Sequence, residues 1–357
     1  MSEWKTVKLS DICTLEKGQQ IDTTLLDDSK PYRYINGGIK ESGYFDNFNT
    51  SGESVLISEG GASCGFINYV NEKFWCGCHC YRLHDIKVFP KYLFHALKAN
   101  QQRIMALRTG SAMPNIQKST IQKFELKIHD DSTTQKKVST MLDKCNELIE
   151  KHKQTLEKYD NLIKSRFIEM FGDPITNPKK WEVKTLNEVC RKITDGKHGG
   201  CKLDDKSDYY YVGAREIFDL SIHYETAQKI TKEDFEKDYK RCNLEIGDFC
   251  IVNTGATIGK TAIAKDEKTT HTLLQKSVAL LKVKPEEIIP LYLQYSYITN
   301  ESMYKVESAS AQPNLLLSKI RETKLMIPPL ELQNDFATFV QQIDKSKFEY
   351  DFEEVAA

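Results

Sequence analysis

The chain has 357 residues, 40% hydrophobic and 28% charged, with a formal net charge of −1. That is room for two or three domains with cores of their own, and the balance excludes a uniformly basic nucleic-acid coat. No apolar run approaches the 18 residues a membrane span needs, Met1-Ser2-Glu3-Trp4 does not open like a signal peptide, and the ten cysteines show no paired spacing. We therefore expect a cytoplasmic protein with reduced thiols and no membrane contact.

In chain order, the first feature is a long internal repeat. Trp4, Leu9, Ile12 and Cys13 recur as Trp181, Leu186, Val189 and Cys190 at one constant offset, and Tyr34 recurs as Tyr211 at the same offset. Gly61-Ala62-Ser63-Cys64-Gly65 is echoed by Gly255-Ala256-Thr257-Ile258-Gly259, each after a β-rich run. Pro90 and Pro290 each precede a Tyr-Leu pair opening a helical stretch, and Ser111 to Ile116 matches Ser310 to Leu315. Gln135 and Gln333 start helices at matching points. A repeat of this length makes the chain two copies of one unit, a mixed domain followed by a helix. The expected class is α+β: two repeated mixed α/β domains, residues 1–130 and 173–330, separated by long coiled-coil-like helices at 131–172 and 331–357.

Between the domains, steps of four and three from Val138 reach Leu142, Cys145, Ile149, His152, Leu156, Tyr159, Ile163, Arg166 and Met170. A 3.5-residue apolar repeat without Pro or Gly predicts a rod of roughly 50 Å with a seam for another helix. The second helix reads as shorter: its seam of Phe336, Val340 and Ile343 fades after Ile343 into an acidic, frayed end. Lys and Arg exceed Asp and Glu by 2 in residues 1–130, by 1 in 131–171 and by 1 in 172–330, whereas acids exceed bases by 5 in 331–357. The body permits a local nucleic-acid surface without demanding one.

Two chemical sites suggest themselves and fail. Asn253 to Thr261 resembles a phosphate loop, but three residues rather than four separate the first Gly from Gly-Lys. Cys76, Cys78 and Cys80 would share one face of a strand, spaced too widely for tetrahedral zinc and without a Cys-x-x-Cys turn. No nucleophile constellation is present either. We expect no metal and no catalysis.

The duplicated order of motifs resembles the specificity subunits of type I restriction-modification systems. The Trp4 and Trp181 openings, the Pro114 and Pro313 turns, the Gln135 and Gln333 helix starts and the junction Ser165 to Pro174 carry the resemblance, which covers essentially the whole chain. It implies two target-recognition domains that read the halves of a split site in double-stranded DNA. It also implies spacer helices docking two methyltransferase subunits, with restriction subunits joining in some complexes. S-adenosylmethionine would sit on the methyltransferase, and ATP and Mg on restriction subunits, leaving no cofactor for this chain. Other readings are a fragment of a fused DNA methyltransferase and a two-domain protein scaffold.

Base reading needs Arg, Lys, His or short polar side chains on loops that reach a groove. In the first half the candidates are Lys17, Gln19, Gln20, Asn36, Lys40, Ser63, Arg108, Ser111 and Lys118. In the second they are Lys197, His198, Arg215, Thr257, Lys260, Lys276, Ser310 and Gln312. Asn115 and Asn314, each after a Pro, also fit as turn formers. For the partner we expect an exposed seam at Ile149, Leu156, Tyr159, Ile163 and Met170.

Overall fold

The computed structural model describes residues 4–110, 113–305 and 313–356, with backbone alone beyond residue 347. Each half of the chain opens on a strand that pairs with that half's own last strand. β1 (Trp4–Lys8) runs antiparallel to β9 (Glu125–His129), and β10 (Glu182–Thr185) runs antiparallel to β20 (Lys324–Ile327). A one-turn helix follows each opening strand, α1 (Leu9–Ile12) and α6 (Leu186–Val189). Its first and fourth residues, one helical turn apart, are the repeated Leu and aliphatic positions, and all four are buried.

In the first half, β2 (Thr14–Lys17), β3 (Tyr32–Ile35), β4 (Tyr44–Phe45), β5 (Ser54–Ser58), β6 (Ile67–Val70), β7 (Phe74–Cys76) and β8 (Cys80–His84) form two sheets. Their orders are β2-β8-β5-β6 and β4-β3-β7. The second half repeats this plan. β11 (Cys190–Asp195), β16 (Phe249–Val252), β17 (Thr261–Ile263) and β19 (Val278–Val283) are ordered β11-β19-β16-β17. β12 (Tyr209–Val212) lies between β15 (Gln228–Ile230) and β18 (Thr272–Leu274). Among the described residues the short hairpin β13 (Ile217–Phe218) with β14 (Ser221–Ile222) and helix α7 (Lys232–Cys242) have no first-half counterpart. The repeated tyrosines hold one register: Tyr34 lies opposite Trp75, and Tyr211 opposite Leu273, each in a parallel pair.

β5 and β16 read as continuous apolar runs because both of their faces are covered. Val55 and Ile57 join one core and Leu56 another, and Phe249 and Ile251 are divided in the same way from Cys250 and Val252. The cysteine run corrects the expectation of a shared strand face. β7 ends at Cys76 and β8 begins at Cys80, and the turn between them is closed by the Cys80 N–H donating to the Gly77 carbonyl at 3.1 Å. Cys76 and Cys80 are buried and Cys78 is partly exposed. Among the described residues no helix is long and apolar enough to cross a membrane.

The remaining helices are α2 (Pro90–Ala99), α3 (Gln101–Met105), α4 (Lys118–Gln122), α5 (Ser132–Phe171), α8 (Pro290–Thr299), α9 (Leu317–Glu322) and α10 (Leu330–Ala356). Pro at the first position of α2 and α8 suits a helix start, where no N–H bond is lost. The glutamines at the starts of α5 and α10 act as matching latches. Gln135 accepts from the Phe89 N–H at 2.9 Å and donates to the His129 carbonyl at 2.7 Å. Gln333 accepts from the Ile289 N–H at 3.0 Å and donates to the Pro328 and Glu287 carbonyls at 2.9 and 3.2 Å. Each latch ties the last strand, a long helix and the entry to α2 or α8 into one buried node. We expect Gln333→Leu to lower stability by about 2 kcal/mol, because buried backbone groups lose their partners. The urea midpoint should fall accordingly, whereas exposed Gln154→Leu should leave it in place; equal midpoints would rule the latch out.

The chain divides into two compact units, residues 1–152 and 153–357, and the division falls within α5. The first part of α5 is held to the first domain by the buried Gln135 and Ser139 and by Asp143, which bonds His95 at 2.9 Å and Lys91 at 2.8 Å. The last part of α5 packs antiparallel on α10. Phe167 and Phe171 meet Phe336 at centroid distances of 5.4 and 5.6 Å, the Arg166 guanidinium lies 5.7 Å from the Phe339 ring centre, and Lys347 bonds Asp160 at 2.7 Å.

This packing corrects the expected seam in two ways. Phe167, not Arg166, is the core residue, and Ile163, Phe167, Met170 and Phe171 form the buried stripe. A straight helix at 3.6 residues per turn drifts away from a strict 3.5 repeat, so the buried face moves by a residue along the helix. At the other end Val138, Leu142 and Ile149 are exposed, the last at 52%. α10 also stays helical to Ala356, past the expected fading at Ile343. At 27 residues it is nevertheless shorter than the 40 of α5.

Candidate nucleic-acid interface

In the first domain, direct hydrogen bonds gather five loops at one end of the sheets. Gly18 and Gln19 donate from their backbone N–H groups to the Cys80 and Cys76 carbonyls at 3.0 and 2.9 Å. The Gly77 N–H reaches the Ile35 carbonyl, and the Asn36 Oδ1 accepts from the His79 N–H at 3.1 Å. Ser63 Oγ donates to the Gly37 carbonyl at 2.5 Å. The Gly61 N–H donates to the Pro114 carbonyl, and Ile116 N–H to the Glu59 carbonyl, both at 2.9 Å. A Cβ at Gly18 would sit 2.2 Å from the Gly77 carbonyl oxygen, so only glycine allows these two loops to touch.

The expected readers Lys17, Gln19, Gln20, Asn36 and Ser63 thus meet on one tip. Gln20 is also tied down there, accepting from Cys78 Sγ at 2.9 Å. Beneath them lies Glu59, a buried carboxylate absent from the sequence-based set. It takes Lys17 Nζ at 2.7 Å and the Tyr81 hydroxyl at 2.9 Å. Lys17 therefore arrives with its charge compensated. Arg108 is exposed next to the Thr109–Asn115 bridge, Lys40 is exposed in the 36–43 turn, and Lys118 is exposed at the start of α4. Asn115 does form a turn contact, pairing with both Gly60 and Thr109. Ser111, Ser310 and Gln312 lie outside the described residues.

The second domain repeats the backbone bonds of the tip. Gly196 and Lys197 N–H groups donate to the Val278 and Leu274 carbonyls, Gln275 N–H to Val212, Gly255 N–H to Pro313 and Leu315 N–H to Asn253. Its expected readers differ in availability. Lys197 is only 12% exposed at its side chain and is paired with Asp238 of α7 at 2.7 Å, which withdraws its charge from a ligand. His198 bonds Asp195 at 3.0 Å, and Arg241 of α7 pairs with the same carboxylate. Burial pushes the Asp195 carboxyl up, but the Arg241 and His198 hydrogen bonds outweigh it and hold it below the usual carboxylate range. Arg215 and Lys276 are exposed at the tip, and Thr257 is partly exposed in the Gly255–Gly259 turn.

Lys260 lines a different feature, a groove of about 880 Å³ whose walls include Leu156, Tyr295 and Val340. Of the expected partner contacts, Ile163 and Met170 are buried at 0% and 9% against Tyr292, Phe336 and their neighbours in their own unit, and so are unavailable to a partner. Leu156 and Tyr159 are half-buried, and Ile149 is exposed.

Two copies of one α+β domain with equivalent polar loop tips, each followed by a long helix, define a duplicated two-domain protein. The family described as type I restriction modification DNA specificity domain matches residues 1–158 and again 178–351. The chain belongs to the type I restriction-modification specificity subunits, which are non-catalytic. A type I specificity subunit named from Mycoplasma genitalium is 24% identical over 352 residues, 97% of this chain and 88% of that one. One from Mycoplasma pneumoniae is 28% identical over 205 residues, 55% and 52% of the two chains. The crystal structure of a type I restriction-modification S subunit from M. genitalium superposes with a TM-score of 0.67 at 21% identity, covering 99% of this chain and 93% of that one. A structure solved in work on complex assembly and conformational transition of a type I system gives 0.52 at 14% identity, covering 99% and 93%. At these identities the likeness is one of fold.

Proposed function

We propose that each loop tip reads one half of a split site in double-stranded DNA, and that the exposed stripe of α5 docks a methyltransferase subunit. The observation that carries the first part is the duplicated tip: its backbone bonding is the same in both domains while its side chains differ. A shared frame with different polar groups is what two readers of two sequences require. A chain of net charge −1 binds duplex weakly alone, because phosphate neutralisation supplies most non-specific affinity. Partner subunits closing on the duplex would supply the rest.

The docking part rests on Met141, Leu148 and Ile149, large apolar side chains 68%, 48% and 52% exposed along α5. Such a stripe suits a helix from another subunit. The chain itself would hold no cofactor; S-adenosylmethionine would be bound by two methyltransferase subunits, and ATP and Mg by restriction subunits where these join.

The deciding experiment is methylation-sensitive sequencing of DNA from cells that express the chain with its methyltransferase. A bipartite motif is expected. Exchanging residues 1–130 for those of another specificity subunit should change one half of the motif and leave the other; change in both, or in neither, rejects the modular reading.

A further inference from the structure

The two tips share their backbone bonds but exchange a side chain. Gly77 N–H bonds the Ile35 carbonyl just as Gln275 N–H bonds the Val212 carbonyl, both at 2.8 Å, so Gly77 corresponds to Gln275 and Asn36 to Gly213. In the first domain the amide comes from Asn36 and covers a glycine; in the second it comes from Gln275 and covers a glycine on the opposite loop. A Cβ at Gly77 would meet Asn36 Oδ1 at 2.3 Å, and one at Gly213 would meet Gln275 Oε1 at 2.4 Å. Each tip therefore seats one amide in the same place, with glycine opposite to make room for it.

The two amides differ in what they leave free. Asn36 already commits its oxygen to one bond, from the His79 N–H. Gln275 is partly exposed and its side chain makes no hydrogen bond among the described residues, so neither its oxygen nor its nitrogen is spent on the fold. A side-chain amide with both ends free matches adenine in the major groove, accepting from N6–H and donating to N7. Lys276 and Arg215 flank it on the same tip and suit the phosphates on either side. Nothing in the sequence marks Gln275 over any other glutamine.

We propose that Gln275 is a specificity-determining residue that reads an adenine in the half-site assigned to the second domain. This rests on the DNA-reading function proposed above. The test is the methylated motif produced by the chain with its methyltransferase for wild type, Gln275→Ala, Gln275→Arg and Gly213→Ala. Gln275→Ala is expected to relax one adenine position of one half-site by about tenfold or more, the cost of one bidentate base contact. Gln275→Arg should move that position toward guanine, to whose O6 and N7 arginine donates. Gly213→Ala keeps the glutamine but pushes its amide aside, and should lose the same discrimination. The other half-site should stay unchanged in all three, which reports an intact complex. If the wild type yields a bipartite motif and all three variants reproduce it, the inference is overturned and the DNA-reading function stands. Relaxation at a base other than adenine overturns the pairing. Absence of any bipartite motif from the wild type overturns both.

Discussion

Ile163→Glu is expected to unfold the second domain, whereas Ile149→Glu is expected to preserve both folds and abolish assembly with a methyltransferase subunit. The two positions sit on one helix, two heptads apart, and only the tertiary packing separates them. Ile163 is fully buried among Phe167, Tyr292 and Phe336. Glutamate there forfeits the burial of an isoleucine, about 2–3 kcal/mol, and adds several more for a carboxylate without a partner. The sum rivals the whole stability of an ordinary domain. Ile149 is half in solvent, so glutamate there should change stability by under about 0.5 kcal/mol while placing a charge in the proposed interface. Circular dichroism and light scattering of the chain with and without the methyltransferase separate the effects. A folded Ile163→Glu protein contradicts the packing, and normal assembly of Ile149→Glu contradicts the docking stripe.

The second large effect is expected at Lys282. Its ammonium, 6% exposed, lies 2.5 Å from Asp248 and 2.8 Å from Glu245. Burial raises the Asp248 carboxyl above its ordinary range, and the hydrogen bond from Lys282 opposes that rise. Lys282→Met removes the opposition and leaves a buried carboxylate unpaired, at a cost of about 3–5 kcal/mol near neutral pH. A carboxyl whose folded pKa exceeds its unfolded value takes up its proton more readily when folded. The variant should therefore recover stability as pH falls from 7 through that raised value toward the unfolded 3.8. Adding Asp248→Asn should restore most of the loss at pH 7. Urea titrations at pH 7 and pH 5 measure both; a deficit independent of pH would mean that Asp248 is not the group left exposed to the core.

Why one stretch was legible and another was not follows from the range of the forces involved. The α5 span could be read because a helix is local: uninterrupted apolar periodicity and the absence of Pro or Gly determine it. The face it buries could not be read. The stripe from Val138 to Met170 is continuous in sequence, but Gln135, Ser139 and Asp143 hold its start to one domain and Phe167 and Phe171 hold its end to Phe336. The cysteine run failed for a related reason. Alternation suggested a strand, and the Gly77 turn bonded to Ile35 replaced it.

The sequence by itself determined the duplication, the mixed class of each domain, the helix that follows each one and the family, because these rest on motif order and local periodicity. Several expected tip residues, Gln19, Asn36 and Ser63 among them, were legible as polar residues next to or within glycine-bounded turns. Which side chains are free at the tips was decided only by tertiary structure. Glu59 compensates Lys17 across 42 residues of chain, Asp238 on a helix unique to the second domain takes Lys197, and a glycine far away in sequence makes room for Gln275. Such pairings are contacts across loops and leave no periodicity in the chain, so only the folded arrangement could assign them.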